Sequence, residues 1–131
     1  MMTPTDSSPR EVCLLDDDAS VLRSMQYLLA SDGIKVRAFN KPEEFLAHAA
    51  GHPVHVVVTD IWMPGVTGLE ILARTCAISP RPRVIVITAR DDLAARATAM
   101  AIGPVAFFIK PFNDEQFLAA VHGALAQAET L

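Results

Sequence analysis

Residues 54–58 read Val54-His55-Val56-Val57-Val58, a nearly unbroken β-branched run, with Asp60 following it and Met63-Pro64-Gly65 shortly after. β-Branched side chains favour extended backbone, and an apolar run without polar alternation fits a strand buried on both faces. Three other stretches share this character: VCLL at 12–15, VIVIT at 84–88 and VAFFI at 105–109. IKVRAF at 34–39 alternates instead, as a more peripheral strand does. Between these candidates, apolar residues recur at helical spacing: Val21, Leu22, Met25, Leu28 and Leu29, then Phe45 and Leu46, then Leu69, Ile71 and Leu72. Leu93, Ala97 and Met100 continue the series, and Phe117, Leu118, Val121 and Leu125 close it. Strands alternating with helices predict an α/β fold: a five-stranded parallel sheet with helices on both faces. Boundary signals agree, since Ser31-Asp32-Gly33 suits a helix end, Asn40-Lys41-Pro42 a helix start, and Asn113 an N-cap.

A chain of 131 residues with 51% hydrophobic content suffices for one domain with a real core. The expected unit is residues 11–128, with a flexible polar tail at 1–10 and a short C-terminal tail at 129–131. A net charge of −4 offers no bulk positive field to hold phosphate backbones, so direct nucleic-acid binding is not expected. Cys13 and Cys76 lie in apolar-patterned stretches without a closely spaced partner, which reads as core packing in a reducing compartment. The first ten residues lack an apolar signal-peptide centre and no later run reaches membrane-spanning length. The expected location is therefore cytoplasmic, with no membrane partner.

In open parallel sheets, functional groups gather beyond the carboxyl ends of the strands. In this chain Asp16, Asp17 and Asp18 follow the first strand, Asp60 the third, Thr88 ends the fourth, and Lys110-Pro111 follows the fifth. Carboxylates gathered at one edge repel by roughly 4 kcal/mol per pair at 4 Å and an effective dielectric near 20. A hard divalent cation relieves that burden. Lys110 adds a positive charge and Thr88 a hydroxyl, a donor set suited to a many-oxygened anion such as a phosphoryl group.

LLDDD at 14–18, VTDIWMPGVTGLE at 58–70, VIVIT ending in Thr88, and FFIKPF at 107–112 occur together and in order. In this combination the chain resembles the CheY-like receiver domains of two-component response regulators, a flavodoxin-like (βα)5 family, over about residues 10–128. The resemblance implies that Asp60 is the phosphorylated aspartate, that Asp17 ligates Mg²⁺ or Mn²⁺ directly, and that Asp16 acts mainly through metal-bound water. It assigns the carbonyl of Trp62 as a further ligand, Thr88 and Lys110 to the phosphoryl oxygens, Phe107 to the aromatic switch, and Pro111 to a loop often entered by a cis bond. The implied partner is a sensor histidine kinase or phosphotransfer protein, with a phosphorylation-dependent homodimer as a family tendency. Trp62 and Arg90 occupy positions that influence dephosphorylation, and both are bulky, which implies a longer-lived phosphoryl state. Thr59 and Gly68 around Asp60 look most like receivers found ahead of LuxR-type DNA-binding domains. No helix-turn-helix segment occurs before Leu131, so a stand-alone or excised receiver is expected. Gly103-Pro104 departs from the family's usual Gly-Ala and removes a backbone donor before the fifth strand.

Taken singly, each residue has a plainer reading. Asp18 suits a helix cap, Asp60 a turn, Thr88 a strand end, Lys110 a solvated charge, and one of Phe107 and Phe108 the core. The scattered arginines, Arg81, Arg90 and Arg96 among them, read as solvated charges, and His48, His52, His55 and His122 as surface or satisfied side chains. A different class also matches in part, because Asp16-x-Asp18-x-Ser20 after a strand resembles the opening motif of haloacid-dehalogenase-type phosphatases, with Asp16 as nucleophile. That reading leaves Asp60 without a role.

Overall fold

Every one of the five β-rich runs forms a strand, and every intervening stretch forms a helix. The computed structural model describes residues 11–62, 68–78, 80–89 and 92–129. Its elements are β1 (Glu11–Leu15), α1 (Ala19–Ser31), β2 (Lys35–Phe39), α2 (Pro42–Gly51), β3 (Val56–Asp60), α3 (Gly68–Cys76), β4 (Arg83–Thr88), α4 (Leu93–Ile102), β5 (Ala106–Ile109) and α5 (Asp114–Glu129). The tail at 1–10, the Met63-Pro64-Gly65 segment and Arg90 lie outside the described residues. All strand pairs are parallel, in the order β2-β1-β3-β4-β5. No helix among the described residues is long and apolar enough to cross a membrane.

Strand periodicity divides the core in two. Val12, Leu14, Val56, Val58, Ile85 and Ile87 pack with Leu22, Met25 and Leu29 of α1 and with Phe117 and Val121 of α5. Their neighbours Cys13, Leu15, Val57, Val84 and Val86 pack on the other face with Phe45 of α2, Ile71 and Leu72 of α3, and Ala95 and Ala99 of α4. The uninterrupted apolar reading of the central strands is thereby explained: both faces of β1, β3 and β4 are covered. Burial, with a smaller contribution from Glu11, pushes the Cys13 thiol up to about 11. Both cysteines are free, as core packing requires.

Two expectations need correction. β5 has the apolar run of an interior strand, yet all four of its residues are only half-buried, because it is a sheet edge paired with β4 alone. In α4 the stripe Leu93, Ala97 and Met100 is not the core face: Leu93 is 79% and Met100 50% exposed, while Ala95 and Ala99 are buried. Both stripes have helical spacing. The stripe of small residues is the one packed inward, which permits close approach of the helix to the sheet.

Local chemistry sets the helix boundaries. Asp18 Oδ1 accepts from the backbone N–H groups of Ser20 and Val21 and caps α1, as expected. Asn113 Oδ1 accepts from Gln116 N–H at the start of α5, and Pro42 opens α2. The start of α3 is pressed against the end of β3: a Cβ on Gly68 would lie 2.1 Å from Ile61 Cα and 2.2 Å from the Asp60 carbonyl oxygen. Only a residue without a side chain fits there. Gly68→Ala is expected to lower stability by roughly 2–4 kcal/mol, measured by chemical denaturation, because the clash is with backbone that cannot swing aside.

Candidate functional site

The strand order fixes where the polar edge lies. From β1 the chain passes to β2 on one side and then to β3 on the other, so the connections diverge between β1 and β3 and leave a crevice beyond their carboxyl ends. Asp16 directly follows β1, and Asp60 is the last residue of β3, because the strand runs to Asp60 rather than ending at Val58 as the sequence suggests. Lys110 follows β5 and is tied to β4 by a 2.7 Å hydrogen bond from its backbone N–H to the Thr88 carbonyl. Its peptide bond to Pro111 is cis.

Asp16 and Asp60 are oriented by the same local device. Asp16 Oδ1 accepts the Asp18 backbone N–H at 2.9 Å, and Asp60 Oδ1 accepts the Trp62 backbone N–H at 2.9 Å. The second oxygen of each carboxylate meets the same ammonium: Lys110 Nζ lies 3.0 Å from Asp16 Oδ2 and 3.4 Å from Asp60 Oδ2. Asp16 and Asp60 are buried, at 1% and 6% exposure, while Asp17 stands exposed at the rim. One ligand atom from each of Asp16, Asp17 and Asp60 lies within 4.8 Å of the others. Two carboxylates thus meet one ammonium with a third beside them, so among the described residues negative charge exceeds positive charge at this cluster.

The electrostatics follow from burial and neighbours. Burial raises the Asp60 carboxyl above its ordinary value, with the Asp16 charge adding to the effect. The Trp62 N–H and Lys110 oppose it without cancelling it. For Lys110, burial works against the ammonium, but the hydrogen bond to Asp16 and the charges of Asp16 and Asp60 outweigh it and raise its pKa. Lysine therefore stays charged, and Asp60 carries the cost of being a buried anion. An all-oxygen donor set with surplus negative charge suits a hard divalent cation, so Asp16, Asp17 and Asp60 fit such an ion. Asp18 is excluded from this group because its carboxylate serves the α1 cap, and the hydrogen bonds from Ser20 and Val21 hold its pKa low.

Thr88 is fully buried at the end of β4. Phe107 is half-buried on β5, opposite Val86 and packed against the α2–α4 core. Three contacts escape the sequence reading. The Arg96 guanidinium carbon lies 5.2 Å from the Phe107 ring centroid. Arg81 Nη2 donates to the carbonyls of Ile102 and Gly103 at 3.1 and 2.8 Å, securing the end of α4. His122 and Asp32 pair at 2.6 Å between α5 and the end of α1. Arg81 and Arg96 are thus not merely solvated charges. Each reaches across elements, and no spacing along the chain signals that.

A family model described as "Response regulator receiver domain" matches residues 12–122. The transcriptional regulatory protein FixJ of Bradyrhizobium diazoefficiens is 37% identical over 119 residues, covering 90% of this chain and 58% of that protein. The chain spans about half the length of the curated relatives it matches. Among solved structures, full-length FixJ from B. japonicum superposes with a TM-score of 0.83 at 33% identity, covering 94% of this chain and 61% of that one. The signal receiver domain of an HD domain-containing protein from Pseudomonas fluorescens Pf-5 gives 0.88 at 25% identity, covering 95% and 100%. The phosphatase alternative, which leaves the central Asp60 idle and needs an Asp18 already used as a cap, finds no support. A buried aspartate pair bridged by lysine at the switch point of a five-stranded parallel sheet, joined to a match across most of the chain, has one meaning: this chain belongs to the response regulator receiver domains, the phospho-aspartate signalling switches of two-component systems.

Proposed function

We propose that the unit spanning residues 11–128 accepts a phosphoryl group on Asp60 from a phosphohistidine of a sensor histidine kinase or phosphotransfer protein. The observation that carries this reading is the Lys110 ammonium held between Asp16 and Asp60, beside the exposed Asp17. A carboxylate oxygen of Asp60 attacks phosphorus, the P–N bond breaks, and the imidazole leaves with the bonding pair and takes up a proton. The product is an acyl phosphate. Lys110 then balances the phosphoryl charge, the Thr88 hydroxyl donates to a phosphoryl oxygen, and the two Asx turns keep both carboxylates from swinging away. Asp16, Asp17, Asp60 and the Trp62 carbonyl would hold Mg²⁺ or Mn²⁺, which would supply charge neutralisation for the transferring group. The domain is in this sense a catalyst only of its own phosphorylation and dephosphorylation.

The signal leaves as a population shift in which Thr88 moves to the phosphoryl group, Phe107 follows, and the α4–β5 surface changes. Leu93, Met100 and Val105 are exposed there, which supports a protein partner or a second copy as the reader. Cytoplasmic location accords with the donor chemistry.

Incubation with Mg²⁺ and acetyl phosphate, followed by intact mass measurement, is expected to give one metal-dependent phosphoryl adduct on the wild type and none on Asp60→Asn. Lys110→Met is expected to slow labelling roughly a hundredfold. An adduct that survives Asp60→Asn and disappears on changing Asp16 would overturn the assignment.

Asp60→Asn also has a predicted effect on stability. The folded-state pKa of Asp60 is raised, so the folded chain binds this proton more tightly than the unfolded chain does. The penalty is therefore present at neutral pH and fades as pH falls through the folded-state pKa. In chelator at pH 7, Asp60→Asn is expected to melt at a higher temperature than the wild type, and the gain should shrink on acidification.

A further inference from the structure

Phe107 carries no hydroxyl, so its ring must be held by packing and by whatever lies on its face. Arg96, in the second turn of α4, supplies that contact: its guanidinium carbon sits 5.2 Å from the ring centroid. The distance is within the range of attraction between a cation and the ring quadrupole. Among the described residues no carboxylate forms an ion pair with Arg96. Asp92, four residues earlier, uses its side chain to cap Ala95 N–H at 3.0 Å. Arg96 also adjoins Ala95, which is buried against the sheet, while Leu93 and Met100 face outward. It therefore stands at the seam where α4 meets β5, with its guanidinium over the ring.

We propose that Arg96 is a positioning residue for Phe107: the guanidinium stacked on the ring retains it in its half-buried resting place and so opposes the phosphorylated state. The proposal rests on the reading of Thr88 and Phe107 as the coupled elements of the switch. It also gives the surface of α4 a direct mechanical link to the site, because moving the ring requires separating it from a residue of that helix. A partner docking on α4 that draws Arg96 away would favour phosphorylation, and phosphorylation would free Arg96 to meet an acidic group on a partner. The two effects are thermodynamically reciprocal.

The test uses beryllium fluoride with Mg²⁺ as a stand-in for the phosphoryl group, titrated calorimetrically against wild type, Arg96→Met and Arg96→Lys, with the ring resonances of ¹³C-labelled phenylalanine followed by NMR. Methionine keeps an unbranched side chain about as long as the aliphatic stem of arginine but has no guanidinium and no charge. Arg96→Met is expected to lower the half-saturating concentration about two- to fivefold, the effect of losing an exposed cation–ring contact that favours the resting state. It should also shift the Phe107 ring signals of the ligand-free protein. Arg96→Lys should lie between methionine and wild type. In a Phe107→Leu background, Arg96→Met should have no further effect on the titration.

Unchanged affinity and unchanged ring signals in Arg96→Met would overturn the proposal alone, as would an equal affinity change in the Phe107→Leu background. Absence of any Mg²⁺-dependent binding by the wild type would instead overturn the switch reading, and the positioning role with it.

Discussion

The structure depends on one arrangement: a lysine ammonium held between two buried carboxylates that the fold itself forces together. Asp16 and Asp60 end adjacent parallel strands, so their approach is a consequence of sheet pairing rather than of attraction. Lys110 arrives from the far edge of the sheet and meets both at 3.0 and 3.4 Å. Without it, two buried anions would face each other beside a third, a costly arrangement in a partly desolvated site. With it, the site is still short of positive charge. That residual deficit fits a divalent cation, and in the proposed function the cation and the lysine together would receive the phosphoryl group.

Much of the remaining structure serves to hold these groups still. The hydrophobic sandwich on both faces of β1, β3 and β4 fixes the strand ends, and the close contact of Gly68 with Ile61 and Asp60 brings α3 tightly against the end of β3. The Asp18 cap starts α1 immediately after Asp16-Asp17, which keeps Asp17 at the rim and takes Asp18 out of the site. Rigidity is less complete toward β5. This edge strand is half-buried, α4 packs through alanines, and arginine side chains span the seam at both ends of the helix. A switch is best built where the packing is thinnest, since bistability there costs least.

Strand order of appearance, the two-sided core and the polar strand ends were legible because they are written in local patterns: β-branched runs, apolar periodicity, and charges just after strands. The caps at Asp18 and Asn113 were legible for the same reason. What escaped needed three dimensions. β5 has the composition of an interior strand, and only topology makes it an edge. In α4 two stripes have helical spacing, and the choice of Ala95 and Ala99 over Leu93 and Met100 depends on how near the helix lies to the sheet. Arg96 over Phe107 joins residues on different elements, as does Arg81 with the end of α4, and neither leaves a sequence signature. The site was readable residue by residue, but its charge balance required distances.

In the proposed function, surplus negative charge on Asp16, Asp17 and Asp60 makes a divalent-cation site in the folded chain. A thermal melt with rising Mg²⁺ tests it most directly, since a ligand bound only by the folded state raises the melting temperature with its concentration. A rise is expected for the wild type and its loss in Asp17→Ala. A melting temperature indifferent to Mg²⁺, or an equal rise in Asp17→Ala, would contradict it.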